Sequence, residues 1–134
     1  MDRLDQMLKA HPAPAGSDRE SALAVIRATA ECAAVCASCA DACLAEPNVA
    51  ELVGCIRLNI DCADICEMTG RFFARASARD RATLKALLRA CADACRACGD
   101  ECAQHAAHME HCRICAESCR TCAEACEKEA KALV

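Results

Sequence analysis

The spacing of cysteine constrains this chain more than any other feature. Sixteen of its 134 residues are cysteine, and they fall in helical register. Cys32, Cys36, Cys39 and Cys43 have offsets 0, 4, 7 and 11, and Cys91, Cys95, Cys98 and Cys102 repeat them. Cys112, Cys115, Cys119, Cys122 and Cys126 follow offsets 0, 3, 7, 10 and 14, while Cys55, Cys62 and Cys66 form a sparser set. At about 100° per residue, the first pattern spans only ~60° of a helix and the last only ~80°. Each set is one narrow stripe, at the positions where a helical bundle normally carries Leu.

The intervening residues supply the helix boundaries. Residues 1–11 form a short helix ended by Pro12 and Pro14, and residues 12–17 are a linker. Residues 1–16 therefore read as an N-terminal segment and 17–134 as the cysteine-lined domain. Ser17 with Glu20 is a capping box that opens the first long helix at about Asp18. That helix runs to about Leu44, where Glu46-Pro47-Asn48 breaks it. Asn48 with Glu51 caps a second helix reaching about Ala76, and Ser77 to Asp80 starts a third that ends near His105. A turn at Ala106 to His108 leads into the fourth. Four long helices with short connections predict an all-α, antiparallel up-down four-helix bundle preceded by a short N-terminal helix. Gly54, Gly70 and Gly99 fall inside these helices and weaken them locally.

Composition shows that the stripes are not an ordinary core. Leu, Ile, Val and Phe together number 22, and the 32 alanines bury little area each. Leu at each cysteine position would stabilise the fold by roughly 25 cal/mol per additional Å² of apolar surface buried, so the sulfur itself is wanted. Nucleic-acid binding is disfavoured by a net charge of −4 and the absence of Trp and Tyr. No uninterrupted run of 18 apolar residues predicts a membrane span. The early acids of Met1-Asp2-Arg3-Leu4-Asp5 do not make a secretory signal. A cytoplasmic, reducing location is expected, where structural disulfides are rare. Bridges within one helix would also need Cβ atoms near 3.8 Å, against ~5–6 Å at i and i+4. No Ser/His/Asp set is present and the acids lie on outward helix faces, so the chain does not read as an enzyme.

Metal ligation remains. Seven C-x-x-x-C pairs (32/36, 39/43, 62/66, 91/95, 98/102, 115/119 and 122/126) place two thiolates one turn apart. Soft thiolates select Cu(I), Zn(II) or iron–sulfur clusters. Sixteen thiolates carry sixteen negative charges; four Zn(II) would leave half of these uncompensated inside the bundle, whereas about one Cu(I) per thiolate neutralises it. Iron–sulfur sites usually take loop spacings ending in Cys-Pro, and no cysteine here precedes a proline. Many Cu(I) ions per chain is the reading that charge favours, with zinc and iron–sulfur binding as alternatives.

The capped four-helix pattern with C-x-x-x-C-x-x-C-x-x-x-C on the first and third long helices resembles the bacterial cytosolic copper storage proteins, over roughly residues 18–134. The resemblance implies a cytosolic, tetrameric, non-enzymatic Cu(I) store whose ions bind mainly through cysteine pairs within each helix. The second long helix departs from the pattern with only three cysteines, and Asn59 stands four residues after Cys55 where a partner thiol is expected.

The two ends of such a bundle differ. One end carries Asn59, His105 on the third stripe, His108 four residues before Cys112, and Met109 and His111 in the turn. The candidate metal set is therefore the sixteen cysteines with Asn59, His105, His108 and His111. His105 is expected to take the first interior step, His108 the next, and His111 lies at the edge of the inward arc. The other end carries Val25, Phe73, Leu84, Leu87, Leu88, Ala130 and Leu133. The donor-lined end is the expected copper entrance, as the resemblance also implies. An outward row on the second helix, Val49, Val53, Ile56 and Ile60, reads as a subunit interface, matching the implied homotetramer. Nothing in the chain names a copper-delivery partner.

Overall fold

The computed structural model describes residues 2–13, 18–75 and 80–133. Among these, a short helix α1 (Asp2–Ala10) is followed by four long ones: α2 (Arg19–Leu44), α3 (Val53–Ala74), α4 (Arg81–His105) and α5 (Glu110–Ala132). Successive helices pack side by side, and α2 also packs on α5, closing the ring of an up-down bundle.

Local chemistry sets the ends. Ser17 lies outside the described residues; Asp18 is the observed N-cap of α2, its carboxylate accepting from the Ser21 amide at 3.1 Å. Asp80 caps α4 in the same way, accepting from the Ala82 amide at 3.1 Å. The Ser77 start signal falls outside the described residues. The Asn48 cap is not formed as expected: Asn48 Nδ2 instead donates to the Glu51 carboxylate at 3.2 Å, and a 3-10 turn (Val49–Leu52) precedes α3. The physical reason is steric economy at a short connection. The tighter turn carries Leu52 into the bundle, fully buried, three residues before Cys55. The turn at 106–108 lies where the cysteine register resets.

The glycines do not interrupt the helices. Two sit where helices approach closely. A Cβ at Gly70 of α3 would meet Thr29 Oγ1 of α2 at 2.8 Å, and one at Gly99 of α4 would meet Cys119 Cβ of α5 at 3.2 Å. Both are contact points of neighbouring helices rather than weak points.

Although no uninterrupted apolar run of 18 exists, α2 contains an 18-residue window of mean hydropathy 1.5, enough by length and composition to cross a membrane. That hydropathy comes mainly from Ala and Cys, and the cysteine face is turned into the bundle.

α1 lies against α2. Leu4 and Leu8 pack on the core, and Asp5 accepts from Arg19 at 3.0 Å. The core proper is the axis of the four-helix ring. All sixteen cysteines are buried there with side chains 0–2% exposed, and every one is a free thiol.

Candidate metal centre

The four stripes meet along the axis. Sulfur atoms one turn apart approach at 3.8 Å (Cys32–Cys36), 3.9 Å (Cys62–Cys66) and 4.0 Å (Cys115–Cys119). Sulfurs on different helices come equally close: 3.6 Å for Cys36–Cys119, Cys66–Cys95 and Cys55–Cys102, and 3.7 Å for Cys62–Cys95. Metal–thiolate bonds near 2.3 Å allow two sulfurs on one ion to sit up to about 4.6 Å apart, so both kinds of pair fit one ion with small adjustments.

Compact donor groups form at successive levels. Cys32, Cys66, Cys95 and Cys122, one from each long helix, lie within 4.8 Å of one another. So do Cys32, Cys36, Cys62 and Cys119, and Cys36, Cys98, Cys115 and Cys119. Cys39, Cys102 and Cys115 make a further group, sharing sulfurs with the levels beside it. The donor array is thus continuous along the axis and crosses helices as well as following them.

Asn59 occupies the gap that α3 leaves in its stripe. It is fully buried. Its amide nitrogen donates to the Cys55 carbonyl at 2.8 Å and faces the Cys55 and Cys102 sulfurs at 3.4 and 3.5 Å. Its Oδ1 accepts from the Cys115 and Cys98 thiols at 3.0 and 3.2 Å. One amide thereby satisfies four sulfurs from three helices, which an apolar residue there would leave without polar partners.

The three histidines of the α4–α5 region part company. His111, in the first turn of α5, sends Nδ1 to 3.4 Å from Cys39 and 3.6 Å from Cys112, and it groups with Cys39, Cys43 and Cys112 within 4.8 Å. His105 is half-buried with Nε2 bonded to Glu101 at 3.0 Å. His108 is exposed in the turn. The histidine expected at the edge of the arc, His111, is the one set against the thiols, while the His105 ring is held by Glu101. The first turn of α5 starts at Glu110 and rotates residue 111 inward across the mouth toward α2, which a stripe extrapolated along α4 alone does not show.

Thiols in contact share their protons across helices: Cys62 donates to Cys95 at 3.7 Å, Cys115 to Cys36 at 3.8 Å and Cys32 to Cys119 at 4.0 Å. Hydrogen bonding among the thiols pushes Cys36, Cys66, Cys95, Cys102 and Cys126 up, with burial adding to the effect. Near the mouth, the Cys102 S–H holds Cys55 at about 3, while burial pushes Cys43 up to about 12. A soft cation entering this array replaces shared protons rather than meeting sixteen bare anions.

Sequence reasoning passed over several residues here. Glu46, which the sequence shows only as part of a helix break, reaches His111 Nε2 with its carboxylate at 2.9 Å. Thr29 and Thr69 continue the α2 and α3 stripes by three residues beyond Cys32 and Cys66; both are buried and bond to their own helix carbonyls. The spacing that found the cysteines also places these two.

A closed ring of helices around free, mutually touching thiols defines a metal–thiolate bundle. The chain belongs to the copper storage protein family, whose model matches residues 18–131. It is similar to the copper storage protein Ccsp from Streptomyces lividans, solved with 10 copper equivalents: 47% identical, TM-score 0.91, covering 98% of this chain and 99% of that one. A structure of copper loading to a cytosolic copper storage protein from the same organism, with five coppers, is 48% identical with TM-score 0.82 over 84% of this chain and 93% of that one. The Cu(I)-bound copper storage protein BsCsp3 is 39% identical with TM-score 0.73, over 82% and 98%. An uncharacterized cysteine-rich protein of Bacillus subtilis is 41% identical over 92 residues, 69% of this chain and 80% of that one.

Proposed function

We propose that this protein is a cytoplasmic store that takes up many Cu(I) ions along its axis, without catalysing a reaction. The observation that carries this is the continuous array of sixteen buried free thiols, in groups within 4.8 Å that draw on all four long helices. Residues 17–134 are the storing domain, and residues 1–16 are an appended segment whose Leu4 and Leu8 rest on it. The cysteines are the ligands; Asn59 and His111 contribute donors toward the open end, and His105 and His108 serve the approach to it. Anaerobic Cu(I) titration tests the storage reading. Bound copper approaching or modestly exceeding the cysteine count is expected, and saturation at four or fewer ions per chain would overturn it. Zn(II) displacing bound Cu(I) in competition, or iron in the purified protein, would favour the zinc or iron–sulfur alternatives.

The store assembles as a homotetramer through α3. Val49, Val53 and Ile60 are 36%, 42% and 48% exposed and stay clear of packing within the bundle, whereas Ile56 of the same expected row packs on the core instead. Replacing Val53 and Ile60 by Glu should release monomers in a sizing experiment with helicity retained; an unchanged size would sink the interface.

A further inference from the structure

The mouth holds one contact that ties two connections together. Glu46 lies just past the C-terminus of α2, with its amide donating to the Cys43 carbonyl at 3.2 Å and Pro47 fixing the chain behind it. His111 belongs to the opposite connection, in the first turn of α5. Glu46 Oε2 meets His111 Nε2 at 2.9 Å, and the far side of the same ring turns Nδ1 toward the sulfurs of Cys39 and Cys112. Both partners are about three-quarters buried, with side chains 28% and 26% exposed.

A neutral imidazole carries its proton on one nitrogen only. A carboxylate can only accept, so Nε2 is the protonated nitrogen and Nδ1 presents its lone pair to the thiol group. We infer that Glu46 is a positioning residue: it fixes the tautomer and ring orientation of His111 so that Nδ1 is a ready soft-metal donor beside Cys39, Cys43 and Cys112. This rests on the reading that Cu(I) passes through this end. Carboxylate partners of metal-binding histidines act in this way generally, orienting the ring and raising its basicity. His105 offers the contrast. Its carboxylate partner, Glu101, is four residues earlier on the same helix, so that pair ties nothing across the mouth.

The test compares E46A, E46Q and H111A with the double variant E46A/H111A, after circular dichroism and full Cu(I) titration show folding and capacity retained. Nitrogen-15 spectra of the histidine rings should show the Nε2–H form for His111 in the native and E46Q proteins and a tautomer mixture in E46A. Stopped-flow uptake and chelator-driven removal of Cu(I) should slow about tenfold or more in E46A. E46Q should retain most of the rate, because its amide oxygen still accepts from Nε2–H. E46A/H111A should be no slower than H111A alone. If H111A leaves both rates unchanged, the entrance reading fails. If H111A slows them while E46A changes neither rate nor tautomer, the positioning role fails alone. If E46Q matches E46A, the negative charge of Glu46 acts on the ion directly and the positioning role is likewise overturned.

Discussion

At the end where α2 and α4 begin, the axis is filled with hydrocarbon: Val25, Phe73, Leu84, Leu88 and Leu133 are all 5% exposed or less. At the other end the axis carries Leu52 and Met109 but also Asn59, His111 and the carboxylate of Glu46. Between them the stripes carry small side chains, the thiols together with Thr29 and Thr69. The two ends divide the work a filled bundle would normally spread along its length. Fully burying a Leu or Phe contributes roughly 1.5–3 kcal/mol, and a thiol contributes less, so the metal-free fold is anchored at the hydrocarbon end. The donor end holds the smaller share of hydrocarbon, and local opening costs least where apolar contacts are few.

The largest effect that would break this contrast concerns Leu88, which is fully buried. L88A should cost the metal-free protein about 2–5 kcal/mol in urea unfolding, the usual range for a buried Leu truncated to Ala. H111A, removing a half-buried side chain from the mouth, should cost well under half of that. Equal losses at the two ends would mean that stability is not concentrated where the hydrocarbon is.

A second effect separates close packing from burial. Gly70 lets α3 approach α2 at Thr29, whose hydroxyl already donates to the Val25 carbonyl at 2.8 Å. G70A should destabilise by about 1–3 kcal/mol, because the new methyl meets a hydroxyl that is held in place. Removing the hydroxyl as well, in T29A/G70A, should recover stability and expose the gain of roughly 1 kcal/mol expected for Gly to Ala in a helix interior. A double variant no better than G70A would place the strain elsewhere.

The cysteine spacing made the bundle legible, because a stripe repeated over four long segments has one efficient way to be buried. It also marked the hydrocarbon end correctly, since Leu84, Leu88 and Leu133 lie in register with the thiols. What it could not supply was rotation across a connection. His105 extends the α4 stripe on paper, yet its ring bonds Glu101, while His111 is swung inward by where α5 starts. The Asn48–Glu51 pair was legible as a cap, but the side chains bond each other and a 3-10 turn buries Leu52 instead. Glu46 carried no periodic signal at all; its role follows from two connections meeting in space. Residues placed by helical period were readable, and residues placed by turns were not.

The smallest expected effect sharpens the contrast from inside the hydrocarbon end. Glu129 of α5 is 5% exposed, and its Oε2 has no hydrogen-bond partner. Burial pushes its carboxyl above the ordinary value of 4.5, and the nearby charge of Asp18 pushes the same way, with Lys128 opposing weakly. A group whose folded value is raised stabilises the fold fully only below its unfolded value, and that contribution is lost as pH rises through the folded value. Near pH 7 the native state therefore carries a charge that burial disfavours. E129Q removes the charge at nearly constant shape, so the metal-free variant should melt slightly higher than the native protein at pH 7. The difference should shrink as pH falls toward 4, where the native carboxyl is itself neutral. Thermal melts of both proteins across that range decide it. A variant less stable at pH 7, or a gain that does not fade on acidification, would show that Glu129 is held by a favourable interaction and is not a flaw in the hydrocarbon end.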